Sequence, residues 1–370
     1  MDCFVHFREN SSFLFNLATY LCAVKKEEVI VAFHHLGNLM RIHGSKLAWP
    51  GFSCGVTEDE FLAVELAIER QVHHNGWFTE ASVRNALLNL GNWLTEDQLS
   101  AWASKYEFTE NPKVVAVIMA GNIPLVGFHD FLCVLLSGNK VQCKQSSEDN
   151  KLLPLLVNYL LHFAPELKAS ISFSDRNLSG FDAVIATGSN NSLVNFESYF
   201  SKYPHLFRHN RTSIAVLDGT ETKAELKALG EDILNYFGRG CRNVTHLLIP
   251  KDFDLNRFFE AIVDLGEIIN NKKYGNNYDY NKTIHLLNLE SFLDNNFLLL
   301  KESEQLFSPL AMLHYHTYST QEEIKSYLET HKDALQCVVG HDYLPFGTAQ
   351  CPSLSDYADN VDTMMWLNGL

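Results

Sequence analysis

Val114-Val115-Ala116-Val117-Ile118-Met119 runs directly into Ala120-Gly121-Asn122-Ile123-Pro124, and this stretch decides how the chain reads. An uninterrupted apolar run of this length, rich in Val and Ile and stopped by a Gly-Asn turn, predicts a strand buried on both faces. Such strands belong to parallel sheets covered by helices. Downstream the alternation continues, with helix expected at 123–137, strand at 140–144, helix at 150–163 and strands at 169–173 and 181–186. Helix 189–200, strand 213–217 and helix 222–236 follow. This pattern of βαβ units predicts an α/β fold with a Rossmann-type parallel sheet.

Upstream, residues 1 to about 110 read as mostly helical, with Thr57 and Thr95 placed as N-caps before acidic residues. Beyond residue 241, strands are expected at 244–249, near 297–301, at 311–317 and at 335–339. Helices are expected at 253–270, 278–289, 320–331 and 356–368. At 370 residues the chain is long enough for two domains. We place an N-terminal helical segment and dinucleotide-binding domain at 1–236, a catalytic domain at 237–345, and a tail at 346–370 that packs back on the first.

Acidic residues outnumber basic ones 44 to 29, for a net charge of −15, which argues against a nucleic-acid or anionic-membrane partner. No apolar run reaches the ~18 residues of a membrane span, so no membrane insertion is expected. Cys3, Cys22, Cys54, Cys133, Cys143, Cys241, Cys337 and Cys351 show no paired spacing, and the N-terminus lacks a secretory pattern. Free thiols in a cytoplasmic setting are expected.

Four turns carry chemistry. Asn122, at the carboxyl end of the first strand, could donate to an oxyanion. Lys144-Gln145-Ser146-Ser147-Glu148 suits a ribose or phosphate. Thr187-Gly188-Ser189-Asn190 leads a helix whose N-terminus could take a pyrophosphate. Each of these three, alone, also reads as an ordinary turn or cap. The fourth is Tyr236-Phe237-Gly238-Arg239-Gly240-Cys241-Arg242-Asn243-Val244. Glycines allow close approach there, and flanking arginines favour a thiolate, making Cys241 a candidate nucleophile.

The order Gly-Asn-Ile-Pro, Lys-x-Ser-Ser, Thr-Gly-Ser, Gly-x-Gly-Cys resembles the aldehyde dehydrogenase superfamily. Leu306-Phe307-Ser308-Pro309 and Pro345-Phe346-Gly347 look like its later motifs. The Cys241 segment, Phe346-Gly347-Thr348-Ala349-Gln350-Cys351-Pro352 and Asp356-Tyr357-Ala358-Asp359 resemble, more narrowly, the fatty acyl-CoA reductases related to the reductase subunit of bacterial bioluminescence. That resemblance implies a Cys241 acyl-enzyme, an oxyanion held by Asn122, and a nicotinamide cofactor held by Lys144, Ser146, Ser147, Thr187, Gly188, Ser189 and Asn190. The superfamily's Glu-Leu-Gly-Gly base has no counterpart, as expected where an acyl-enzyme is reduced rather than hydrolysed. Ser147 stands where a ribose-contacting glutamate falls, which implies NADPH, although Glu148 is adjacent. Gln305 replaces the glutamate of the nicotinamide-ribose contact, and Leu193 replaces a glycine of the pyrophosphate turn.

His246 is a candidate acid–base for the thiohemiacetal, or a packing histidine. Arg208 and Arg211 could meet CoA phosphates, or lie on the surface. The remaining cysteines read as structural, and His314-Tyr315-His316 supplies no convergent metal site, so no metal is assigned. The expected activity is NADPH-dependent reduction of an acyl-CoA or acyl-carrier thioester to the aldehyde. A homodimer or an acyl-transferring partner protein is possible on the same resemblance. Aldehyde oxidation and an inactive cofactor-binding scaffold or acyl-transfer subunit are the alternatives.

Overall fold

The structure, a computed structural model, describes residues 24–174 and 177–370, apart from the side chain of Asn190. Cys3 and Cys22 lie outside the described residues. Four helices come first: α1 (Lys26–Gly44), α2 (Glu58–His74), α3 (Glu80–Trp93) and α4 (Glu96–Ala103). Thr57 caps α2 in a reciprocal box with Glu60, and Thr95 caps α4 through the Gln98 N–H, each worth about 1 kcal/mol. Their apolar stripes close on a common core that includes Phe33, Leu36, Val64, Ile68 and Leu87.

That core is continuous with a parallel sheet of β1 (Val114–Ile118), β2 (Lys140–Lys144), β3 (Ile171–Phe173), β4 (Ala183–Thr187) and β5 (His205–Arg208), in the order β3-β2-β1-β4-β5. Val115, Ala116 and Val117 are fully buried, as an all-apolar central strand requires. Helices α5 (Phe128–Leu136), α6 (Leu152–Phe163) and α7 (Asn190–Phe200) connect the strands. The chain turns to β2 on one side of β1 and returns to β4 on the other. The carboxyl ends of β1 and β4 therefore border the topological switch point, where open α/β sheets bind ligands.

A second sheet contains β6 (Thr212–Val216), β7 (Val244–Pro250), β8 (Leu293–Asp294), β9 (Leu299–Glu302), β10 (Met312–Tyr318) and β11 (Leu335–Val339), in the order β11-β6-β7-β10-β9-β8. Only the β8–β9 pair is antiparallel among the described strands. Helices α8 (Lys223–Leu234), α9 (Leu255–Ile262), α10 (Lys272–Leu287), α11 (Gln321–His331) and α12 (Thr363–Asn368) complete the chain.

The sheets divide the chain at a different place from the expected domain boundary, and one strand is additional to those expected. Strand β6 pairs with β7 and β11, so the division between the sheets falls between Arg208 and Thr212 rather than at residue 236. Strand β5 was not expected, because His-Leu-Phe-Arg after Pro204 carries only two apolar residues. The tail divides its contacts. Leu354, Tyr357, Met364 and Leu367 enter the first core, whereas Ala349 enters the second.

Buried polar groups tie the tail down. The Arg208 guanidinium, 2% exposed, donates to Asp130 Oδ1 at 2.8 Å, to Thr363 Oγ1 at 2.7 Å and to the Ala358 carbonyl at 2.8 Å. Arg211 pairs with Asp359 at 3.2 Å and donates to the Leu335 carbonyl. Neither arginine is a surface group: both are engaged by the tail and its neighbours, and both also border the crevice described below. Tyr357 Oη lies 2.8 Å from Tyr106 Oη and accepts from Trp102 Nε1 at 3.0 Å. No helix among the described residues is long and apolar enough to cross a membrane.

Candidate active site

The Cys241 turn begins where α8 ends. Tyr236, Phe237 and Gly238 all adopt left-handed backbone, with φ of 52°, 61° and 74°. Two non-glycine residues in that region cost of order 1–3 kcal/mol each and persist only when their surroundings hold them. The holding groups are visible. Tyr236 Oη accepts from Asn85 Nδ2 at 3.2 Å, and Phe237 packs between Trp77 and Tyr274. Asn243 is fully buried, and its Nδ2 donates to the carbonyls of Asp232, Ile233 and Asn235 while its Oδ1 accepts from Gly240 N–H at 2.7 Å. Asn243 N–H returns a bond to the Gly240 carbonyl at 3.1 Å. Cys241 sits inside this closed turn, immediately before β7.

Asn122 reaches the turn from the other sheet. It follows the end of β1, and its Nδ2 donates to the Arg239 carbonyl at 2.8 Å. On the far side of the cysteine, Arg242 Nε donates to the Ala349 carbonyl at 2.5 Å. Asp232 accepts from the N–H groups of Gly347 at 2.6 Å and Ala349 at 2.9 Å, although burial pushes its carboxyl up to about 6. The motifs around Cys241, Asn122 and residues 346–352 are thus brought together, although 119 residues separate Asn122 from Cys241.

They line one crevice of about 850 Å³ at the switch point. Cys241, Asn122, Lys144, Ser146, Thr187, Gly188 and Ser189 all border it. Gly121 lets the β1 turn press on the β2 turn, since a methyl group there would fall 2.6 Å from Ser146 Oγ. Ser189 caps α7 through the Ser192 N–H at 3.3 Å, leaving the preceding Thr187-Gly188 turn at the crevice wall.

Other expected residues fall elsewhere. Ser147 is not among the crevice-lining residues, and its carbonyl accepts from His74 Nε2 at 2.8 Å, while Glu148 borders the crevice instead. His246 is fully buried in β7 and stacks on Tyr327. Its Nδ1 donates to the Gln305 carbonyl at 3.0 Å, a carbonyl that His314 Nδ1 also meets at 2.9 Å. Burial lowers the His246 pKa to about 4, so the ring is neutral near pH 7 and outside the crevice. The acid–base expectation for His246 is corrected to a packing role. A two-residue strand period locates its alternation but not which face meets the crevice.

The flanking-arginine expectation is half met. Arg242 lowers the Cys241 pKa, but Arg239 stacks its guanidinium over Trp77 at 4.7 Å and has Glu148 as its charge neighbour. Cys241 is exposed at the mouth of the crevice, yet protein crowds its remaining sides, and this burial pushes the thiol up to about 11. Crowding therefore favours the thiol form against the pull of Arg242. Alkylation of Cys241 by iodoacetamide is expected to climb about tenfold per pH unit between pH 7 and 10, following the thiolate fraction. A rate already level at pH 7 would show that Arg242 outweighs burial.

Among the other described cysteines, Cys133 and Cys143 are buried, Cys54 and Cys337 half-buried, and Cys351 exposed, all as free thiols. Cys337 lies behind the Cys241 turn, where Ser213 Oγ contacts its Sγ at 3.0 Å and donates to the Cys241 carbonyl at 3.1 Å. Outside the crevice, His341 lies between Asp218 at 2.8 Å and Glu225 at 3.2 Å, and these ion pairs account for both ring nitrogens. Asn243 and Asp232 were missed in the sequence. Their only signal is a polar residue at the edge of an apolar element, which is common in solvated turns.

No curated protein matches the chain. Solved structures do share its fold. Aldehyde dehydrogenase 21 from Physcomitrella patens, in complex with succinate, is similar at a TM-score of 0.61 and 10% identity over 88% of this chain and 75% of its own. An indole-3-acetaldehyde dehydrogenase complexed with NAD+ gives 0.59 and 13% over 85% and 72%. An NADP-dependent enzyme of E. coli gives 0.61 and 10% over 86% and 73%. At these identities the likeness is one of fold. Residues 77–274, which carry Asn122, the β2 and β4 turns and Cys241, match the family described as Acyl-CoA reductase (LuxC). The chain therefore belongs to the acyl-CoA reductase (LuxC) family, oxidoreductases of acyl and aldehyde groups, here built on the aldehyde dehydrogenase fold.

Proposed function

We propose that this protein reduces a fatty acyl-CoA, or an acyl group carried as another thioester, to the aldehyde through an acyl-enzyme on Cys241, using NADPH. One observation carries the reading: Asn122 is hydrogen-bonded to Arg239, two residues before Cys241, in the same crevice that Lys144, Ser146, Thr187 and Ser189 border. A nucleophile, an amide donor and a shelf of hydroxyl and cationic groups at a switch point suit a dinucleotide lying beside a thioester.

In the first half-reaction the Cys241 thiolate forms a bond to the thioester carbonyl carbon as the π electrons move to oxygen. The Asn122 amide, which keeps a second N–H beside the one given to Arg239, is the side-chain donor for that oxyanion. Collapse breaks the bond to the carrier sulfur, and the carrier leaves as a thiolate that takes up a proton. Bound reduced nicotinamide supplies a hydride, that is, two electrons and one hydrogen. After the acyl carbon gains it, breaking the Sγ–C bond releases aldehyde and returns the Cys241 thiolate.

Lys144 at the end of β2 and the helix lead at 187–189 fit the cofactor's phosphates. A cation at the end of the second strand suits a 2′-phosphate, where a carboxylate would suit a ribose hydroxyl. Glu148 opposes that preference from the same crevice, and the Ser147 argument for NADPH no longer applies because Ser147 is not a lining residue. Lys144 is the remaining support.

NADPH at a hundredfold excess over its Kd should raise the thermal midpoint by about 5 °C, with NADH giving a smaller shift at equal concentration. The deciding assay is NADPH oxidation across acyl-CoA chain lengths with trapped aldehyde identified. Acid formed from added aldehyde, with no reduction of any acyl-CoA, would reverse the assigned direction. Neither cofactor shift nor turnover would leave only the scaffold alternative.

A further inference from the structure

Gln350 is a polar residue in the crevice wall that the reaction above does not use. It is 8% exposed, borders the crevice with Cys241, and its Nε2 finds no hydrogen-bond partner among the described residues. A buried amide N–H₂ is rarely left unpaired in a folded protein, and an exception in a crevice marks a donor waiting for a ligand acceptor.

Its placement is fixed from three sides. Asp232 holds the N–H groups of Gly347 and Ala349, Arg242 holds the Ala349 carbonyl, and Asn89 Nδ2 reaches the Gln350 carbonyl at 3.4 Å. A methyl group placed on Gly240 would come 3.8 Å from both the Gln350 amide oxygen and the Ile123 side chain. The β1 turn that carries Asn122 and the tail that carries Gln350 thus flank the glycine directly before Cys241. Asn122 has already given one N–H to Arg239. Gln350 has given none.

We propose that Gln350 is a second side-chain donor to the substrate carbonyl, holding the thioester oxygen opposite Asn122 as the Cys241 sulfur adds and again as the acyl-enzyme is reduced. This rests on the acyl-reductase reading. Its energetic role is confined to steps in which negative charge develops on that oxygen. Alkylation by iodoacetamide displaces iodide at a methylene carbon and creates no such charge, so it separates the donor from effects on the sulfur itself.

Gln350→Met keeps length and volume without a donor, and Gln350→Leu removes the donor with a shorter chain. Both are expected to lower kcat for acyl-CoA reduction about 10²-fold. NADPH affinity, thermal midpoint and the Cys241 alkylation rate should stay within about twofold or a few degrees of wild type. Wild-type turnover in either folded variant overturns the inference, as does a parallel loss of reduction and alkylation. If the unmutated protein reduces no acyl-CoA at all, the functional reading fails, and this inference with it. That result is seen in wild type before any variant is compared.

Discussion

Cys241→Ser is expected to lower acyl-CoA reduction by about 10⁴-fold or more, while NADPH still raises the thermal midpoint as in wild type. Serine fits the turn, since the bonds that close it belong to Gly240 and Asn243 rather than to the Cys241 side chain. What changes is the chemistry. A hydroxyl stays protonated far above the pH at which even this crowded thiol ionises, and the crevice walls penalise an alkoxide further. An oxygen ester, if formed, is also a poorer hydride acceptor and a poorer leaving group than a thioester. Retained aldehyde formation in the serine variant would remove Cys241 from the reaction. Loss of the NADPH shift together with activity would mean that the substitution had disturbed the crevice rather than the nucleophile.

Arg208→Met should destabilise the protein by about 3–5 kcal/mol, lowering the thermal midpoint by on the order of 10 °C. The substitution leaves the Asp130 carboxylate inside the first core without its cation, and it frees Thr363 and the Ala358 carbonyl at the same time. The tail is expected to become the first site of proteolysis, because Arg208 is one of the groups fastening residues 358–363 to α5. Asp130→Leu added to Arg208→Met should recover part of the loss, since replacing both partners of a buried pair by apolar groups removes the uncompensated charge. A single variant melting within a degree of wild type would show that the tail is secured without this pair.

How far the chain was legible differs from element to element. Val114–Ile118, Lys140–Lys144 and Leu335–Val339 lie where strands are expected, and the helices from 152 to 234 begin within a few residues of their expected starts. Helix α5 begins at Phe128 rather than at residue 123 because the Ile123-Pro124 turn carries the crevice loop, with Leu125 in left-handed backbone. The expected helix at 278–289 starts earlier, at Lys272, where Asn271 caps it by accepting from the Lys273 and Tyr274 N–H groups. Its polar first turn hides that start from an apolar pattern.

The site was legible as separate turns, and its assembly was not. Asn122 and Cys241 each stand out beside glycines, but only the order of motifs hinted that they share a crevice. Gln350 and Asn243 acquire meaning from contacts with residues more than a hundred positions away or with helix-end carbonyls. His246 and Arg208 show the opposite error. Their residue types suggest chemistry with substrate, whereas burial packs His246 away from the crevice and ties Arg208 to the tail at the crevice edge.

The sequence by itself determined the α/β alternation, the capped starts of α2 and α4, and the turn chemistry at the strand ends. These depend on side-chain period and on hydrogen bonds between residues a few positions apart. Only the tertiary structure decided that β6 joins the second sheet, that His246 turns inward, and that crowding outweighs the flanking arginine at the Cys241 sulfur. Strand partnership, side-chain facing and desolvation are sums over neighbours distant in the chain, and no local pattern contains them.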